Sequence, residues 1–201
     1  MTEPVLHLAS SSPRRVEILT ALGLTFTAAG VDIDETPLAG ENVSDMVLRL
    51  AETKAQEAAK QHSGLVLGSD TAVELDGVIF GKPKDEQDAL DMLARLSGQS
   101  HRVLTGVAIV SGDRVWRDLS VTRVSFREIQ ADEARQYWQS GEPEGKAGAY
   151  AIQGRGGVFV DSISGSYSGV VGLPVFQTAR LLQQAGVGVM SATLTEDVSA
   201  E

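Results

Sequence analysis

Arg14, Arg15, Lys82, Glu35 and Asp70 stand at a helix start, on loops or at a strand end, where side chains do chemistry more often than packing, and Lys54 joins them from the apolar stripe of a helix. A set of cations with two carboxylates suits a polyphosphate handled together with a divalent metal. Other standard devices are missing: the chain has no G-x-x-x-x-G-K-S/T loop, no G-x-G-x-x-G after a first strand, no H-E-x-x-H and no obvious Ser-His-Asp set. Zero cysteines exclude disulfides, thiolate metal sites and cysteine nucleophiles, and His7, His62 and His101 lie far apart. A metal here is a hard ion on carboxylates, such as magnesium or manganese.

The stretch Leu8-Ala9-Ser10-Ser11-Ser12-Pro13-Arg14-Arg15 holds the densest part of that set. Val5, Leu6 and Leu8 suit a short buried strand, and Pro13 suits the first position of a helix reaching Leu22 and stopping at Gly23. Ser12 would cap it, and serine hydroxyls with free N–H groups at a helix start make an anion site. Two arginines in the first turn oppose the helix dipole, each by roughly 0.3–1 kcal/mol. An anion between serines and guanidinium groups reverses that penalty; a solvated arginine pair beside an ordinary cap is the alternative.

The elements that would position the other residues follow in order. A strand over Thr25–Ala29 leads into a loop with Asp32, Asp34 and Glu35, which suits a divalent cation or a solvated acidic turn. A helix capped near Ser44-Asp45 and running to Ala59 buries Val47, Leu50, Ala51 and Ala58. Lys54 falls on that stripe, so it either snorkels to an edge or meets an anion in a cleft. Leu65–Gly68 reads as a strand ending at Ser69-Asp70-Thr71, followed by a hairpin around Asp76-Gly77, which puts Asp70 at a strand-to-hairpin junction. There it is a site carboxylate or a turn aspartate. Lys82 sits on a constrained Gly-Lys-Pro loop before a helix over Asp85–Leu96.

Strands over His101–Val110 and Arg114–Arg127 read as an antiparallel pair, with a helix over Asp132–Gln139 after them in which Tyr137 and Trp138 are packing residues. Residues 141–157 hold six of the 21 glycines around Lys146, Tyr150 and Gln153, a backbone shaped around something small or a plain glycine-rich loop. Gln153 has the donor and acceptor that a base edge needs. A strand over Val158–Val160, a turn at Gly165–Gly169 and a helix from Pro174 to Ala185 complete the reading. The fold class is mixed α/β: a largely antiparallel twisted sheet flanked by helices. Residues 1–189 form a single catalytic domain and residues 190–201 a flexible acidic tail.

A length of 201 residues and 42% hydrophobic content suit one substantial domain. No apolar run approaches the roughly 20 residues of a membrane span, and no signal core is present, so a cytoplasmic setting without a membrane is expected. The formal charge of −10 argues against a nucleic-acid partner.

Several segments in order resemble the Maf family of nucleoside triphosphate pyrophosphatases: the Leu8–Arg15 stretch, Gly68-Ser69-Asp70-Thr71, Gly81-Lys82-Pro83, Leu96-Ser97-Gly98, Lys146–Gly154, Gly165-Ser166-Tyr167 and Val170–Pro174. The resemblance covers about residues 5 to 186. It implies two lobes around a central nucleotide cleft, hydrolysis of a nucleoside triphosphate between the α and β phosphates, with a divalent metal, and a homodimer. Asp70-Thr71 and Ile152-Gln153-Gly154 look like the branch acting on dTTP and UTP, with modified pyrimidine nucleotides as further candidates in a house-cleaning role. Ala151 stands where many relatives have glycine.

By the same resemblance Asp70 is the general base, and Arg14, Thr71 and Gln153 set base preference. The phosphates would be neutralised by Arg14, Arg15, Lys54 and Lys82 beside Ser10, and the metal held by Glu35 and Asp70. An aspartate of ordinary pKa near 4 is a weak base, so the metal must acidify the water. The rival readings are a nucleotide-binding regulator of septum formation without turnover, and a purine-directed house-cleaning pyrophosphatase.

Overall fold

Residues 6–191 are described by the structure, a computed structural model. Leu6–Leu8 forms strand β1, buried throughout, and Ala9 still donates to the Leu67 carbonyl at 2.8 Å before the chain turns into the serine run. Helix α1, Pro13–Ala21, has proline at its first turn, where a missing N–H costs no bond, and ends into Gly23 at φ +68°. Ser12 occupies the N-cap position, but its side chain makes no cap bond; its N–H instead donates to Ser10 Oγ at 3.2 Å. The expected serine cap is thus replaced by a local serine turn that leaves the first N–H groups of α1 free of a side-chain cap.

Strand β2, Phe26–Ala28, pairs parallel with β1, and helix α2 runs over Val43–Ala59. Its cap is Asn42, whose side chain accepts from the Asp45 N–H at 3.0 Å; Asp45 is the capped residue rather than the cap. Strand β3 spans Leu65–Leu75, turns at Asp76-Gly77 with φ of 52° and 80°, and returns as β4, Val78–Phe80. Asp70 therefore lies in the middle of one long strand, not at a junction. The cause is nonlocal: β3 pairs antiparallel with β5, Ser100–Ser111, from Val66↔Val110 through Glu74↔Arg102, and this ladder carries the backbone straight through residues that suggest a turn.

Between β4 and β5 lies helix α3, Glu86–Leu96, capped by Asp85. Strand β6, Arg114–Phe126, helix α4, Ala131–Gln139, strand β7, Val160–Ser164, and helices α5, Tyr167–Val171, and α6, Val175–Gln184, follow. The structure differs from the expected Val158–Val160 strand and Gly165–Gly169 turn. Residues 155–159 are 3-10 helix, with the strand beginning only at Val160, and the Gly165–Gly169 turn gives way to α5. Ser166 caps that helix by accepting from Gly169 N–H at 3.0 Å, and a Cβ on Gly169 would stand 2.8 Å from Ser120 Oγ. Glycine and serine there serve close packing. A 3-10 turn, Val189–Ser191, follows; of the expected acidic tail, residues 192–201 lie outside the described residues, as does Val5.

The sheet order is β2-β1-β3-β5-β6-β7, with β2, β1 and β3 parallel and the remaining pairs antiparallel. The mixed α/β architecture read from the sequence is the observed one. On the edge of β3 opposite β5, β1 pairs up to Leu67 and β4 pairs from Val73, so residues 68–72 have no strand beside them. That split opens the cleft. One core cluster, with Leu8, Leu19, Leu67, Ile109 and Leu182, lies at one end of β3 and β5; another, with Val73, Leu93, Val103, Phe126 and Phe159, lies at the other. The two lobes share the long strands whose middle is the cleft floor. No helix among the described residues is long and apolar enough to cross a membrane.

Helix α2 covers the other face of the sheet at close range. A Cβ on Gly68 would stand 2.1 Å from the Ala51 carbonyl oxygen, and one on Gly106 would stand 2.4 Å from that of Val47. Both obstacles are backbone, which cannot swing aside. Gly68→Ala and Gly106→Ala are each expected to destabilise the protein by about 1–3 kcal/mol through overpacking. Urea denaturation measures the loss, and an unchanged midpoint would show that α2 does not lie this close.

Candidate active site

The cleft over the open edge of β3 has a volume of about 920 Å³ and is lined from the serine run and α1, the acidic loop, α2, β3, the Lys82 loop, the glycine-rich segment and α5. At its floor Lys54 Nζ lies 2.7 Å from Asp70 Oδ1 and 2.5 Å from Glu35 Oε1. Lys54 and Asp70 are both buried, at 8% and 9% exposure. Side chains alternate along β3, which puts Val66, Gly68, Asp70 and Ala72 on the α2 side, and Lys54 is one helical turn after Leu50. The close approach at Gly68 and Gly106 thereby sets the ammonium on the carboxylate. The anion that Lys54 meets is thus a pair of carboxylates within the chain.

The two acids are tuned in opposite directions. Burial raises the pKa of Asp70 above its ordinary 3.8, outweighing the attraction of Lys54 and Arg15. Asp70 is therefore a stronger base than the ordinary aspartate expected from the sequence. Glu35 is also pushed up by burial, but its hydrogen bond to Lys54 and the charges of Lys54, Lys82 and Arg15 carry it below its ordinary value. Of the other loop acids, Asp34 accepts from Thr36 N–H at 2.9 Å and closes a turn; neither it nor Asp32 lines the cleft.

Arg15 is anchored on three sides. Its Nε donates to the Gly172 carbonyl at 2.8 Å, Nη1 to Ser10 Oγ at 3.1 Å and Nη2 to Thr71 Oγ1 at 3.4 Å. Burial lowers its pKa and Asp70 counters, while an arginine stays charged throughout. Ser10 Oγ accepts from both Arg15 and the Ser12 N–H, so its own O–H remains to donate into the cleft. Thr105 Oγ1 donates to the Gly169 carbonyl at 2.8 Å, leaving the Thr71 hydroxyl to donate to Thr105 Oγ1 at 3.0 Å and to accept from Arg15. Thr71 lines the cleft with its hydroxyl committed beside Arg15.

Arg14 turns the other way. Among the described residues its side chain makes no hydrogen bond or ion pair, and it lies within electrostatic reach of Tyr137 and Lys146. Gln153, exposed, lines this same end, and its side chain has no hydrogen-bond partner among the described residues. Lys82 is exposed on the cleft rim, close enough to influence Glu35. The structure therefore brings Ser10, Arg14, Arg15, Glu35, Lys54, Asp70, Thr71, Lys82 and Gln153 to one cleft and leaves Asp32 and Asp34 outside it. It adds Lys146, whose pKa is lowered by burial and by Arg14, and which the glycine-rich segment's composition had marked without a role. Thr105 carried no sequence signal, and Gly172 only its place in the Val170–Pro174 segment, because their parts are played through partners far along the chain.

Glu35 and Asp70 fit a divalent metal. Two carboxylate oxygens already converge on a single cationic point, and hard oxygen donors suit magnesium or manganese. Among the described residues no group of three or more His, Cys, Asp or Glu side chains could hold a metal ion. The pair matches magnesium's habit of taking one or two carboxylates and completing its shell with phosphate and water.

Residues 5–185 match the family described as Maf-like protein. The chain is 50% identical over 185 residues to the dTTP/UTP pyrophosphatase of Methylococcus capsulatus, covering 91% of this chain and 92% of the relative. It is 52% identical over 185 residues to the enzyme of the same name from Pseudoalteromonas translucida, covering 91% and 97%. Among solved structures it is similar to the Staphylococcus aureus Ham1 protein, at 15% identity and a TM-score of 0.45 over 60% of this chain and 71% of that one. A HAM1 protein from Coxiella burnetii gives 19% identity and a TM-score of 0.45, over 61% and 73%.

The raised Asp70 pKa has a consequence for stability. Folding favours the protonated carboxyl, so this group's contribution is full below the ordinary aspartate value of 3.8 and is lost as pH rises through the raised value. Glu35 has the opposite sign: its contribution is present above the ordinary 4.5 and is lost as pH falls through the lowered value. Relative to the wild type, Asp70→Asn is expected to gain stability as pH rises from about 4 toward neutrality. Urea midpoints across that range test it; a constant difference would mean that Asp70 titrates normally.

Proposed function

The chain belongs to the Maf family, and on that premise we propose that it is a hydrolase acting on dTTP and UTP, cleaving between the α and β phosphates to release the monophosphate and pyrophosphate. Asp70 carries the reading. It is a carboxylate of raised basicity on an unpaired strand edge, joined through Lys54 to a second carboxylate and faced by Arg15. The relatives' names, at about half identity over nine-tenths of the chain, support the same substrates.

In this reading Arg14, Arg15, Lys54 and Lys82 neutralise the triphosphate, and the free O–H of Ser10 donates to a phosphate oxygen. Arg15 acts without reorganising, because three partners already fix its plane. Asp70 takes the proton of the attacking water as its oxygen bonds to the α-phosphorus and the bond to the bridging oxygen breaks, releasing pyrophosphate. Glu35 and Asp70 would hold a magnesium or manganese ion, which would supply Lewis-acid polarisation of the phosphate and a lowered water pKa. Gln153 and Arg14 read the base, with Thr71 acting beside Arg15. A homodimer in the cytoplasm, acting on the nucleotide pool and on modified pyrimidine nucleotides, is the accompanying expectation.

Pyrophosphate release from UTP, dTTP, CTP, ATP, GTP and ITP, with magnesium and after chelation, tests the reading. UTP and dTTP are expected to turn over fastest, only with metal. Asp70→Asn should lower kcat by about 10²–10⁴-fold while nucleotide binding stays measurable by calorimetry. Fastest turnover of ITP would move the substrate class to purines, and binding with no release from any nucleotide would favour a sensing role. Retained turnover in Asp70→Asn would remove it as the base.

A further inference from the structure

Gln153 reaches the cleft on the short turn 151–156, and side chains from outside that turn hold it there. Tyr137, on α4 and 6% exposed, donates its hydroxyl to Glu142 Oε1 at 2.7 Å and accepts from the Ala151 N–H at 3.1 Å. Glu142 Oε1 also accepts from the Gly156 N–H at 2.9 Å, and Oε2 accepts from the Arg155 N–H at 2.9 Å. One tyrosine–glutamate pair thus grips both ends of the turn, with Ile152, Gln153 and Gly154 strung between. The glycines let the backbone close on the grip: a Cβ on Gly154 would stand 2.3 Å from Glu142 Oε2, and one on Gly156 would stand 2.5 Å from Tyr137 Oη. Burial pushes the Glu142 carboxyl up, but its bonds from Gly156, Tyr137 and Arg155 carry it below the ordinary range, so the acceptor is ionised at neutral pH.

We infer that Glu142 is a positioning residue for nucleobase selection, fixing the 151–156 turn through Tyr137 and the Arg155 and Gly156 N–H groups so that the Gln153 amide meets the base in one orientation. The inference rests on the proposed pyrimidine triphosphate hydrolysis. A glutamine amide offers a donor on one side and an acceptor on the other, and it discriminates only if it cannot swing to suit a different edge. Gln153 has no hydrogen bond of its own among the described residues, so its backbone must supply that restraint. Lys146 and Arg14 make the same end of the cleft cationic, and Glu142 is one of the carboxylates acting on Lys146. Its charge therefore also tempers the field in which the base is read.

The test compares the wild type with Glu142→Gln and Tyr137→Phe by measuring kcat and KM for UTP, CTP and GTP with magnesium. Glu142→Gln keeps the shape and loses acceptor capacity. The ratio of kcat/KM for UTP over that for CTP or GTP is expected to fall by about tenfold, with the change in KM and the UTP kcat within about threefold. Tyr137→Phe should move the ratio the same way by a smaller factor, and it answers the question if the glutamine variant does not fold. Backbone amide exchange should accelerate over residues 151–156 in either variant while β3 stays protected. An unchanged ratio, a uniform loss of kcat for all nucleotides, or an unaltered exchange rate over 151–156 would overturn the inference. A wild type that releases no pyrophosphate from any of the three overturns the functional reading instead.

Discussion

Lys54 held between Asp70 and Glu35 is the contact that the rest of the molecule accommodates. A buried ammonium and a buried carboxylate are each tolerable only because the other is there. Bringing them together needs α2 to lie nearly on the backbone of β3 and β5, which only glycine at positions 68 and 106 permits. It also needs the far edge of β3 to be bare, so that Glu35 can come in from the acidic loop. The sheet provides this by letting β1 leave after Leu67 and β4 join only at Val73. Helix packing, strand pairing and site electrostatics are here one arrangement.

The cleft has two ends with different physics, and adjacent arginines serve them. Arg15 is tied to Ser10, Thr71 and the Gly172 carbonyl and acts on Asp70 and Glu35, a fixed charge of the kind that stabilises a phosphate without reorganisation. Arg14 makes no such bonds and faces Lys146 and the glycine-rich segment, which Tyr137 and Glu142 hold in shape. Tyr150, also in that segment, shares a 2.8 Å hydrogen bond with His101, whose pKa burial pushes down to about 4. This end of the cleft is thus supported by neutral or ionised groups that hold a single state around neutral pH. Of the two cations that break the dipole rule at the start of α1, Arg15 is offset by its three hydrogen bonds and the nearby Asp70 and Glu35, while Arg14 points toward the other end of the cleft.

Elements with local punctuation were legible. Pro13 and Gly23 bound α1, Asp76-Gly77 makes the hairpin, Asp85 caps α3 and Gly98 follows it at φ +66°. What was misread depended on distant partners. Asp70-Thr71 suggests a turn, yet the ladder to β5 keeps it in a strand. Gly165–Gly169 also suggests a turn, yet the Thr122 hydroxyl accepts from the Ser166 N–H at 2.9 Å and Ser166 caps a helix there. Ser12 stands at the N-cap of α1 without a side-chain cap bond, while its own N–H donates to Ser10 Oγ.

By itself the sequence determined which chemical groups the cleft would hold and, through helical periodicity, that Lys54 must point inward. Those are properties of residue type and local spacing, and they survive any detail of packing. Only the tertiary structure decided that the anion met by Lys54 is Asp70 with Glu35, that Asp70 is raised rather than lowered, that Arg14 and Arg15 diverge, and that Glu142 holds the turn bearing Gln153. Each of these turns on desolvation or on contacts between residues far apart in the chain. Burial and long-range pairing set such energies, and neither is encoded in the identity of neighbouring residues.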